Sequence, residues 1–193
     1  MQIFDITKEL MTAQVYPGDP VPVLQKIYEM EKGEVCNLTA ISMCLHNGTH
    51  IDAPSHFIQN GETIDEIDLH TCIGECCVAS VFEKELTGQD MDETLPKGTK
   101  RLILKGYGKS NLTVSAAYVL VSEGVRLVGI DSQSVGVEGQ QTEVHKILQR
   151  AGVIILEGLD LSGVQAGNYT LIAPPIKIKG VEGAPCRALL IKA

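Results

Sequence analysis

Three histidines and one aspartate fall within eleven residues, at His46, His50, Asp52 and His56. Imidazole and carboxylate groups at this density are the donors from which zinc and manganese sites are built. Any one of these histidines alone reads more simply as a surface or hydrogen-bonded residue, and it is their grouping that points to a metal. On a regular strand the four even-numbered side chains would share one face. A fully extended chain would nevertheless hold positions 46 and 50 roughly 13 Å apart, too far for both to reach one ion through bonds of about 2 Å. The chain must therefore reverse between them, and Asn47-Gly48 is a dipeptide that tolerates the positive φ of a tight turn. Gly48, Thr49, Ile51 and Pro54 argue against a helix here. The expected local structure is a strand ending near His46, a turn, and a short extended segment through Asp52. Pro54 biases Ala53 to an extended conformation, which helps to aim His56 back toward the same cavity.

Two distant residues carry similar chemistry. Glu157 closes the apolar run Val153 to Leu156, and a carboxylate there is costly unless it is paired or bound to a cation. The residues alone leave ligand and salt-bridge partner equally open. His145 lies beside the apolar stripe Val144, Ile147, Leu148 and Ala151 of a predicted helix, where a half-buried helix histidine is the plainer reading. His70 follows the acidic stretch Glu62 to Asp68 and reads as a solvated side chain.

The elements that must position these groups are mostly short β-branched runs of strand length. They cover residues 3–6, 40–45, 78–82, 101–104, 127–130, 153–156, 171–173 and 188–191, most ending at Gly, Pro or Asp. Helical spacing occurs at 114–123, stopped by Gly124, and at 142–151, stopped by Gly152, each followed by an apolar strand. The expected class is α/β with a large β component and few helices. The acidic, glycine-punctuated stretch Gly88 to Lys100 reads as a surface excursion.

At 193 residues, 44% hydrophobic and 21% charged, the chain is expected to form one globular domain spanning 1–193 and to need no disulfide staples. The six cysteines (Cys36, Cys44, Cys72, Cys76, Cys77 and Cys186) lack two separated CxxC pairs and read as reduced thiols. A net charge of −8 argues against a nucleic-acid partner, which would call for a clustered basic face. No apolar run approaches the roughly 20 residues of a membrane span, and the acidic N-terminal MQIFDITKEL does not resemble a signal peptide. The expected location is the cytoplasm, with no membrane partner.

Several segments taken together resemble a known family, the metal-dependent cyclase-like hydrolases that include bacterial kynurenine formamidase and isatin hydrolase. They are Tyr16-Pro-Gly-Asp-Pro20, the signature HxGTHxDxPxHF at His46 to Phe57, Gly129-Ile-Asp131 with Ser134-Val135, and His145 followed twelve residues later by Glu157 in Ile-Leu-Glu-Gly-Leu. The resemblance implies a swivelling β/β/α fold, a homodimer or homotetramer, and two divalent ions, zinc or manganese. It makes His46, His50 and Asp52 ligands of one ion. Asp52 would also reach a second ion, held by His145 and shared with Glu157, and His56 would be the catalytic acid/base. At Tyr16 the family's formamidases carry a substrate-contacting tryptophan, so Tyr16 is the expected substrate contact and the point of departure. The expected reaction is hydrolysis of an N-formyl arylamine, such as N-formylkynurenine, by metal-activated water. The alternatives are opening of a cyclic amide or lactone, and a metal-stabilised binding module without catalysis.

Overall fold

The computed structural model describes residues 1–192. Its strands are β1 (Gln2–Asp5), β2 (Val23–Tyr28), β3 (Leu38–Ser42), β4 (His50–Asp52), β5 (Ile73–Ser80), β6 (Glu85–Leu86), β7 (Arg101–Lys105), β8 (Asn111–Leu112), β9 (Leu127–Ile130), β10 (Ile154–Glu157), β11 (Gly167–Ile172), β12 (Gly183–Pro185) and β13 (Leu189–Lys192). The helices are α1 (Leu69–Cys72), α2 (Gly88–Thr94), α3 (Val114–Ser122) and α4 (Gln141–Arg150). Nine strands form one sheet in the order β1-β13-β11-β5-β7-β9-β10-β4-β12. Its centre, β5-β7-β9-β10, is parallel, because α2, α3 and α4 return the chain between successive strands; the flanking pairs are antiparallel.

Strand alternation sorts the apolar side chains into two cores. Leu102 and Leu104 of β7, Val128 and Ile130 of β9, and Ile155 of β10 face the helices, where they meet Met91, Ala116, Leu120, Val144 and Leu148. Their neighbours Ile103, Leu127, Ile154 and Leu156 point the other way. That second core also contains Leu171 and Leu190 from one end of the sheet and Ile51 and Ala184 from the other, so the sheet folds over onto itself. The layers are β/β/α, as expected.

Three local expectations are corrected. The strand expected over 40–45 ends at Ser42 and pairs only with β2, so His46 lies in the irregular segment that follows and not at a strand end. The stretch Gly88 to Lys100 is not wholly an excursion. Thr87 and Asp90 form a reciprocal capping box that starts α2, and Met91 is fully buried against the helix-side core. Ala151 lies past the end of α4 and is exposed, so the apolar stripe is Val144, Ile147 and Leu148. No helix among the described residues is long and apolar enough to cross a membrane. All six cysteines are free thiols, and burial pushes Cys72 up to about 11 and Cys76 and Cys186 up to about 12.

Candidate metal centre

The site grows from the register of β4. Ile51 points into the folded-over core, so His50 and Asp52 must face the helix layer. Across the antiparallel ladder Glu157 of β10 sits opposite His50 and Ile155 opposite Asp52, which brings Glu157 to the same face. From above, α4 buries Val144 and Leu148 against the sheet and carries His145 to the carboxylates, where it is only 4% exposed. The half-buried helix histidine expected from spacing is thus a fully buried one.

His46 reaches the centre through the turn. The Asn47 N–H donates to the Cys44 carbonyl (3.2 Å), and Gly48 has φ +70, a left-handed conformation that a side chain would strain. Two side chains hold this turn in place. Asn47 Nδ2 donates to the Leu10 carbonyl (2.8 Å), and Thr49 Oγ1 donates to the Gly158 carbonyl (2.5 Å). His56 ends the single 3-10 turn Pro54–His56, entered through an extended Ala53 (φ −82, ψ 159), as the following proline requires.

The resulting distances define two groups that share Asp52. His46 Nδ1 lies 2.8 Å and His50 Nε2 3.4 Å from Asp52 Oδ1. On the other side His145 Nε2 lies 3.6 Å from Asp52 Oδ2 and 3.3 Å from Glu157 Oε1, while His50 Nε2 is 3.4 Å from Glu157 Oε2. The sets His46-His50-Asp52 and Asp52-His145-Glu157 each bring three ligand atoms within 4.8 Å of one another. His56 belongs to neither set; its Nε2 stands 4.0 Å from Asp52 Oδ2.

These residues are of a kind that fits divalent metal. Both Asp52 oxygens are buried and neither receives a hydrogen bond; even the 2.8 Å approach of His46 lacks the direction for one. Buried carboxylate oxygens left without donors are expensive unless a cation satisfies them. The imidazoles are turned for the same role. His50 Nδ1 donates to the Gly48 carbonyl (3.0 Å) and His145 Nδ1 to the Gln141 carbonyl (2.7 Å), which leaves each Nε2 facing the carboxylates. Glu157 Oε1 accepts from the Val135 N–H (2.6 Å), which fixes its orientation. Burial opposes charge on the histidines, but the facing carboxylates prevail: His50 is held well above its ordinary range and His145 is pushed up to about 10. Burial likewise opposes ionisation of Asp52, yet His145, His46 and His50 hold it well below the usual carboxylate range. His56 differs. Burial, aided by His46 and His145, lowers its pKa despite the attraction of Asp52.

Three supporting residues escaped sequence reasoning. Glu182 Oε1 lies 3.3 Å from His46 Nε2 and steadies the ring from behind. Gly183, opposite Asp52 in β12, leaves the space that the same ring fills; a Cβ there would lie 2.6 Å from His46 Cε1 and 2.7 Å from Nε2. Gln149, 3% exposed on α4, donates from Nε2 to the Ala53 carbonyl (3.0 Å) and accepts at Oε1 from the Phe57 N–H (3.1 Å), fastening the His56 turn to the His145 helix. No spacing rule links residues 182 and 183 to position 46, and Gln149 announces itself only as a polar residue beside an apolar helix stripe. Replacing Gly183 with Ala must displace the His46 ring. The expected result is metal binding weakened about 10- to 100-fold, read by zinc titration; wild-type affinity would show that the ring yields without cost.

The centre lines a cavity of about 330 Å³ whose walls include Tyr16, Asp19, Cys44, Phe57 and Gln141. Tyr16 lines this cavity, its hydroxyl 3.4 Å from Gln141 Oε1. His70 is exposed, as its acidic context suggested, and is not among the residues lining this cavity.

Residues 4–137 match the family model described as "Putative cyclase". The chain belongs to this cyclase family. It is 31% identical over 187 residues to a protein named kynurenine formamidase from Bacillus thuringiensis subsp. konkukian (strain 97-27), across 91% of this chain and 90% of that one. A solved structure described as a potential metal-dependent hydrolase with cyclase activity superposes with a TM-score of 0.87 at 30% identity, covering 98% of this chain and 96% of that one. Isatin hydrolase A from Labrenzia aggregata shares the fold, with a TM-score of 0.83 at 24% identity over 100% of this chain and 94% of that one. The cyclase-family chain is accordingly a hydrolase, and its His/Asp/Glu cluster is of a kind that can bind metal.

Proposed function

We propose that residues 1–193 act as one domain that hydrolyses the amide bond of an N-formyl arylamine, releasing formate and the free amine. The observation that carries this reading is His56, an imidazole standing outside both ligand sets yet facing them in a cavity of small-molecule size. A binding module would have no use for it. His46, His50 and Asp52 would hold one divalent ion, zinc or manganese, and Asp52, His145 and Glu157 a second. Ions bound there would lower the pKa of a coordinated water toward neutrality and polarise the substrate carbonyl. His56 Nε2 takes the proton released as the water oxygen bonds to the carbonyl carbon. It delivers that proton to the departing nitrogen as the carbon–nitrogen bond breaks. Phe57 and Tyr16 supply apolar and aromatic surface for the aryl group. Relatives named kynurenine formamidase support the formyl substrate. Parallel assays with N-formylkynurenine and isatin are expected to show turnover of the former; isatin opening alone would replace this reading with a cyclic-amide hydrolase.

A homodimer or homotetramer is part of the same proposal. Every residue of β2 and β3 is exposed, although the hairpin carries Val23, Leu24, Ile27, Tyr28, Leu38 and Ile41. An isolated two-stranded hairpin is marginal in water, and a bare apolar arm of this kind calls for a covering surface. Light scattering is expected to give two or four times the 20.8 kDa chain mass. Replacing the paired residues Leu24 and Ile41 with Glu should lower it; a wild-type chain that runs at 20.8 kDa would remove the oligomer from the proposal.

A further inference from the structure

Of the three imidazoles in the proposed ligand sets, two are oriented by the backbone. His50 and His145 each turn Nδ1 to a carbonyl of their own segment, that of Gly48 (3.0 Å) and that of Gln141 (2.7 Å), and present Nε2 to the carboxylates. His46 is reversed. It presents Nδ1 to Asp52 Oδ1 at 2.8 Å, and its Nε2 meets a side chain, Glu182 Oε1 at 3.3 Å. A nitrogen that binds a cation carries no proton, so a neutral His46 used in this way keeps its proton on Nε2, where the Glu182 carboxylate can accept it.

The reversal matters because His46 also carries His56. Their rings stack with centroids 4.2 Å apart and planes 29° from parallel, whereas His46 meets His50 edge-on (5.1 Å, 78°). The tilt of the His46 ring therefore sets the surface on which the proposed acid/base rests. His46 itself follows β3 in an irregular segment, with no helix or strand to fix it. Gly183 leaves room for the ring, but room does not choose which nitrogen faces inward.

Glu182 is placed to make that choice. Its carbonyl accepts from the Ala53 N–H (2.8 Å), and the next residue, Gly183, stands opposite Asp52 in the ladder of β12 and β4. Its backbone is thus bound to the segment that carries Asp52, while its side chain stays 44% exposed at the edge of the centre. No lysine or arginine pairs with it among the described residues, where such pairs engage Glu29 and Asp5.

We propose that Glu182 is a positioning residue, holding His46 in the tautomer that offers Nδ1 to a cation and in the tilt that supports His56. The inference rests on the metal-dependent amide-hydrolase reading above. It adds one group, outside both ligand sets, on which a ligand and the acid/base both depend.

The test compares the full-length wild type with Glu182→Ala and Glu182→Gln. Zinc titration should show Glu182→Ala binding about 10- to 100-fold more weakly, the usual cost of losing an outer partner of a metal ligand. Glu182→Gln, which keeps an oxygen acceptor at the same reach, should recover at least part of that loss. At saturating zinc, kcat for N-formylkynurenine should fall by up to about 100-fold in Glu182→Ala with KM little changed, as misplacement of a catalytic group entails. The direct reading is proton NMR of the zinc-loaded protein carrying isotope-labelled histidine. Wild type should show exchange-protected ring N–H signals from His46 Nε2, His50 Nδ1 and His145 Nδ1, and Glu182→Ala should lose the first while keeping the other two. Wild-type zinc affinity in Glu182→Ala with all three signals in place overturns the proposal, as does a glutamine variant that does no better than alanine. If the wild type leaves N-formylkynurenine intact, the amide-hydrolase reading fails by itself, and the zinc titration and histidine signals still decide the role of Glu182.

Discussion

Asp52→Ala should empty the centre of metal and abolish turnover in the same step. Asp52 is the one residue common to both ligand sets, with His46 and His50 on one oxygen and His145 on the other. Its removal therefore costs each proposed ion a ligand, and it separates histidines that the carboxylate now holds together. Loss of a supporting outer partner typically weakens metal binding by about 10- to 100-fold. Loss of a shared ligand should exceed the upper end of that range, with turnover falling at least as far. Elemental analysis of the purified variant checks the first half. Thermal unfolding supplies an independent reading, since an ion present at about 1,000 times its Kd stabilises the native state by about 4 kcal/mol. Added zinc should raise the melting temperature of the wild type and leave Asp52→Ala almost unmoved. A variant that keeps its full metal content would dispose of the shared-ligand assignment.

His56→Ala should separate what Asp52→Ala combines. The ring stands 4.0 Å from Asp52, 28% exposed at its side chain, while the four residues buried around it make the closer contacts. Metal content and its thermal stabilisation should persist. Turnover should drop by roughly 10²- to 10⁴-fold, the usual contribution of a positioned acid/base group. Retained activity would mean that proton transfer runs through another group and would leave His56 as a wall of the cavity. Loss of metal as well would make His56 a ligand. The two substitutions thus share a kinetic outcome and differ in metal content, so together they distinguish holding the ions from moving the proton.

Much of this was readable from the chain because the groups concerned are close together in it. The grouping of His46, His50, Asp52 and His56 needed only a turn, and Asn47-Gly48 announced one. Apolar runs and glycine stops marked α3 and α4 to within a residue at either end and located the parallel strands that follow them. Short or edge elements were less visible. The strands β6, β8 and β12 have only two or three residues, too few to show a period. The bare hairpin carries apolar residues without burying them, so its pattern suggested a strand running on to His46 when it is a separate arm. In α2, two capping hydrogen bonds outweighed a composition that reads as loop.

By itself, then, the sequence determined the type of chemistry, the local reversal that folds the signature on itself, and the β-rich α/β class, since each depends on residue type and short-range spacing. Only the tertiary structure decided where Glu157 and His145 sit. Spacing left both ambiguous; strand register sets Glu157 opposite His50, and packing of the α4 apolar stripe lowers His145 onto the same carboxylates. It also decided the partners that steady the site, Glu182, Gly183 and Gln149. The physical reason is common to all of them. Their roles depend on which surfaces the sheet brings face to face when it folds over, and that arrangement is set by burial of two whole cores at once, which no short stretch of the chain specifies.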